Sequence, residues 1–166
     1  MNYLALNNML NLIPTLGILL LFLLLCIIAA VIKDPRMLLI PIGLQTIWSI
    51  VGAVTTLVFM RLNRLPMATI LQLIPAYVVP IIFGILVFVA VLLSLVGVWR
   101  SRIPAAIVIL VALVIMVGGS LWGVIRSVLI SGMGQLTAMQ LMSTFSNFFR
   151  YMALLFVVLS MRWEKR

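Results

Sequence analysis

The chain has 166 residues, 66% hydrophobic and only 8% charged, and its eleven Lys and Arg stand against two acids for a formal charge of +9. With a mean hydropathy of +1.41 it cannot clothe a water-facing surface in polar side chains, which excludes a soluble globular domain, a disordered chain and a secreted disulfide scaffold. What remains is an all-α, polytopic transmembrane bundle of at most about six spans, at roughly 20 apolar residues per crossing, with residues 1–166 read as a single transmembrane domain.

The first apolar run covers residues 12–32. No Lys or Arg precedes Lys33, and no small-residue cleavage site follows, so the run reads as a retained span rather than a signal peptide. Pro14 is expected in its first turn, where a missing N–H costs little. Cys26 lies within the run and, as the single cysteine, can form no intrachain disulfide. Lys33-Asp34-Pro35-Arg36 forms a tight connection to a second span, 37–60, closed by Arg61-Leu62-Asn63-Arg64 and Pro66.

The third apolar stretch, from about residue 67 to 99 with its spanning part at 70–99, would measure about 50 Å as one straight helix, longer than a hydrocarbon core of about 30 Å. Pro75 and Pro80 predict a kink or a separate interfacial turn in its first half. Arg100-Ser101-Arg102 with Pro104 then turns into a fourth span, 103–125. After Arg126, Ser131-Gly132-Met133-Gly134 reads as a helix stop. The fifth span, 141–161, is semi-polar in its first half; the alternative is four spans with this last segment interfacial or re-entrant.

Five spans place the termini on opposite faces. One face then collects Lys33, Arg36, Arg100, Arg102, Arg162, Lys165 and Arg166, and the other Arg61, Arg64 and Arg126. The excess marks the first face as cytoplasmic, with the N-terminus out and the C-terminus in, and a multi-pass protein of a bacterial plasma membrane is expected. Trp99 and Trp163 fall at one interface and Tyr77 and Trp122 at the other, as an aromatic belt does, while Trp48 lies mid-span without such a reason. The cations occur singly or in pairs between apolar runs. They therefore suit topology and anionic phospholipid headgroups, above all at Arg100, Arg102, Arg162, Lys165 and Arg166, and not nucleic acid.

There is no histidine, and both acids, Asp34 and Glu164, lie at span ends. Histidine-ligated haem or metal, a Ser–His hydrolase, an intramembrane proton relay and magnesium-dependent lipid chemistry thus lack their residues, and neither catalysis nor a cofactor is expected. Arg150, amid Phe148, Phe149 and Tyr151, is the exception to an apolar inventory. A cation at mid-bilayer costs from about 3 to more than about 10 kcal/mol, so it calls for a partner or for snorkelling to an interface. Gln140, Ser143, Thr144, Asn147 and Arg150 recur at three- and four-residue spacing and make a polar stripe opposite Leu141, Met142, Phe145 and Phe148. In lipid such a stripe must meet protein, water or headgroups.

Gly119, Gly123, Ser127 and Ser131, each four apart, form a small-residue stripe of the kind that lets helices approach closely; Ser49 with Ala53 and Ala90 with Ser94 are shorter examples. Leu73 to Pro80 reads as a kinked helix entrance, with a transport-type broken helix as the alternative. Together these features point to a non-catalytic subunit or scaffold that packs against other integral membrane subunits of a larger, potentially energy-transducing complex. The alternative is a small homo-oligomeric transporter or channel with a polar path along the last helix.

Overall fold

The computed structural model describes residues 3–62, 64, 66–98, 101–131 and 135–161. Within them the chain forms α1 (Tyr3–Ile32), a 3-10 turn (Pro35–Leu38), α2 (Leu39–Leu62), α3 (Met67–Leu95), α4 (Ile103–Ser131) and α5 (Gln135–Ser160). All five α-helices are long and apolar enough to cross a membrane, through segments Pro14–Ile32, Pro35–Val58, Ile74–Leu95, Ile103–Ile130 and Gln140–Ser160. The chain is thus a multi-pass membrane protein with five candidate spans.

Several boundaries differ from the sequence reading for local reasons. The first helix starts at Tyr3, so Pro14 falls in its interior rather than its first turn and has no N–H for the carbonyl four residues back. The third runs through both Pro75 and Pro80 without a separate turn, and it stops at Leu95, short of Trp99. Gly97 is the cause: after the last helical bond, from Val96 N–H to the Leu92 carbonyl at 2.9 Å, its φ of +81 reverses the backbone so that Val98 N–H bonds the Leu93 carbonyl at 3.1 Å. The fourth helix continues past Arg126 to Ser131. At the first turn Asp34 Oδ1 accepts from Arg36 N–H at 2.9 Å, which starts the 3-10 turn that Pro35 pre-sets.

The short connections make an up-and-down bundle. Helices adjacent in sequence pack on each other, most extensively α4 with α5 and α2 with α3, and α1 closes against α5. One end of the bundle holds the α1–α2 turn, the α3–α4 connection and the close of α5. The other holds the α2–α3 and α4–α5 connections. Among the described residues the main core lies in the first half: Phe22, Leu38, Val91, Ile109, Leu154 and Val158 are all under 2% exposed. At that end Arg102 Nη1 donates to the Met161 carbonyl at 2.7 Å, joining the start of α4 to the close of α5. Many remaining Leu, Ile and Val side chains are exposed, as a lipid-facing surface requires.

Candidate functional site

Most hydroxyls in these spans satisfy themselves. Thr46, Ser49, Thr55, Thr56, Ser94, Ser120 and Thr144 each donate to the carbonyl four residues back, at 2.8–3.0 Å. A hydroxyl bonded this way can sit in hydrocarbon at little cost, so it carries no functional message. Among the described residues, several polar groups not satisfied this way lie on α5.

Gln140 Oε1 accepts from Ser127 Oγ of α4 at 2.8 Å, a bond between the two stripes that the sequence placed on separate helices. It exists because α4 extends beyond Arg126 and carries Ser127 past the level of Gln140. Next to it opens a cleft of about 410 Å³ between α3, α4 and α5. Its polar wall is Gln140, Ser143 and Asn147. Its other walls include Gly119, Ser120 and Gly123 on α4 and Pro75, Ala76, Val79 and Pro80 on α3. Three features noted separately in the sequence therefore meet around one opening: the proline pair, the small-residue stripe and the polar stripe.

The glycines act differently from a packing seam. A Cβ built on Gly119 or Gly123 meets nothing within 4 Å among the described residues, so within one chain they widen the cleft rather than let backbones touch. The close approach lies elsewhere, between α2 and α3, where a Cβ on Gly84 would come to 2.8 Å from Thr46 Oγ1. Nothing in a simple four-residue repeat marks that contact, because its two partners lie on different helices.

Among the described residues, Ser143 and Asn147 find no hydrogen-bond partner within the chain, and Thr144 turns inward, buried, onto the Gln140 carbonyl. One turn further along α5 lie two orphans: Ser146 Oγ and Arg150 Nε are fully buried without a partner. They are four residues apart and so neighbours on the helix surface. Ser146 belongs to no stripe legible in the sequence; its only signal was its spacing from Arg150. Arg150 itself is partly buried, and a helical side chain leans toward the N-terminus of its helix, here toward the cleft.

Of the expected headgroup cations, Arg102 is engaged with Met161 at the closed end. Arg100, Arg162, Lys165 and Arg166 lie outside the described residues, as does the side chain of Ser131. Comparison with known proteins finds no matching family model, no similar curated protein and no similar solved structure.

Proposed function

We propose that the protein is a non-catalytic integral membrane subunit that docks through the Arg150 side of α5 onto another membrane subunit, with the guanidinium meeting a carboxylate of that partner. The carrying observation is the buried, unpartnered Arg150 Nε in a span, in a chain whose two acids both lie outside the spans. Arginine does not shed its proton to escape such a site, and its planar fork suits a carboxylate.

The distribution of cations supports a bacterial plasma-membrane setting with the N-terminus out, the C-terminus cytoplasmic, and the basic turns on anionic phospholipid headgroups. Reporter fusions to each terminus test that orientation, and a cytoplasmic N-terminal reporter would reverse it.

Native mass spectrometry after mild detergent extraction tests the docking. The chain should leave the membrane with other polytopic proteins at fixed stoichiometry. Arg150→Leu should lose them, since removing one member of a buried charge pair costs about 3–5 kcal/mol, and Arg150→Lys should retain part of the assembly. A homo-oligomer, or an Arg150→Leu chain still bound to its partners, would refute the docking.

The cleft gives the second reading, a homo-oligomeric transporter or channel, its one specific support. On that reading Arg150→Leu leaves the oligomer intact and alters anion flux into liposomes.

A further inference from the structure

We infer that the cleft between α3, α4 and α5 is an aqueous access path that carries water from one membrane face to the level of Arg150. The inference goes beyond the subunit reading and does not depend on it, because it concerns this chain alone.

Its mouth lies toward one end of the bundle. Gln140 is in the second turn of α5, Pro75 in the third turn of α3, and Gly123 about two turns before the end of α4, so the cleft sits toward the end where α3 and α5 begin and α4 closes. From Gln140 to Asn147 the wall runs about 10 Å along α5, and Arg150 stands about 15 Å beyond Gln140.

Its wall asks for water. Ser143 and Asn147 have no partner in the chain among the described residues, and Gln140 lines the same opening. Across from them the Ala76 carbonyl lacks its helical donor, because Pro80 has no N–H. A lipid tail filling the cleft would leave every one of these groups unpaired in hydrocarbon. The cleft's volume of about 410 Å³ holds about a dozen waters.

Cysteine accessibility tests the path. Single Ser143→Cys, Asn147→Cys and Gly119→Cys chains, in sealed membrane vesicles of either orientation, are treated with the membrane-impermeant anion 2-sulfonatoethyl methanethiosulfonate. Native Cys26, 1% exposed in the core, is the unreactive thiol present in every chain, and Phe156→Cys, on a side chain 70% exposed to lipid, is the hydrocarbon control. Only a hydrated thiol ionises and reacts, so positions 143, 147 and 119 should label at least about tenfold faster than 156, and from one face only. Equal rates at 147 and 156 would overturn the path. Labelling at 143 without 147 would overturn it too, because water would then stop at the interface. Because the three positions sit on two helices, loss of one variant to misfolding leaves the comparison intact. Arg150→Leu separates the readings: labelling that persists while assembly is lost, or the reverse, assigns failure to one of them alone.

Discussion

A methyl group on Gly84 would sit 2.8 Å from Thr46 Oγ1, inside any tolerable contact, and that hydroxyl is itself tied to the Ile42 carbonyl at 2.8 Å. The two groups lock α2 against α3 near the middle of both helices. Gly84→Ala should therefore destabilise the bundle by about 1–3 kcal/mol, the usual cost of forcing volume into a packed contact. Thr46→Ala alone should cost little, and the double variant should recover most of the stability lost. Thermal unfolding in detergent reads all three. A double variant no more stable than Gly84→Ala would show that the clash relaxes by another route. By contrast, Gly119→Ala, with open space around its Cβ, should leave the melting temperature nearly unchanged. This contrast separates glycines that fit a contact from glycines that leave room, a difference that residue type and spacing alone cannot express.

At the scale of the element, the ends of helices decide how the bundle closes. At the close of α5 the Val157 carbonyl accepts from Met161 N–H and Ser160 Oγ, and Arg102, at the start of α4, donates to the Met161 carbonyl. Arg102→Ala should cost about 1.5–3 kcal/mol, the range for a hydrogen bond to a charged group. Limited proteolysis should then cut first near the close of α5; an unchanged cleavage pattern would argue against Arg102 as the clamp. The elements themselves were legible because apolar runs of spanning length admit few alternatives in a bilayer, and each basic turn marks where one run ends. What hydropathy could not fix was where a helix stops once its run is apolar. Trp99 continues the third run as well as Leu95 does, and only the left-handed Gly97 ends it. Arg126 looked like a terminus on charge, yet α4 carries it and continues for another turn, which brings Ser127 to Gln140. The site followed the same pattern. The residues of the polar stripe were legible from helical spacing, but their meeting with Pro75, Pro80 and Gly123 needed the arrangement of three helices.

Across the whole molecule, the surroundings of α5 change along its length among the described residues. Tyr151, Leu154 and Val158 on α5 interlock with residues from α1, α3 and α4, whereas Gln140, Ser143 and Asn147 on the same helix border open space. One continuous helix thus runs from a stretch with one face on the cleft, its Thr144 and Ser146 buried on the other, into a stretch packed in the apolar core. A division of this kind suits a protein that holds its shape at one face while offering a site at the other, because regions with few buried contacts open locally at low free energy. Amide exchange along α5 in lipid nanodiscs measures the gradient directly. Amides of residues 140–147 should exchange at least about tenfold faster than those of 151–158, since both water access and local opening favour the first group. Replacing Pro80 with Ala returns an N–H to the Ala76 carbonyl and stiffens the α3 wall of the cleft, and this should slow exchange at 140–147 while leaving 151–158 as they were. Uniform protection along α5 would mean that the open half is sealed in the bilayer, and the division into a rigid end and an accessible end would fall with it.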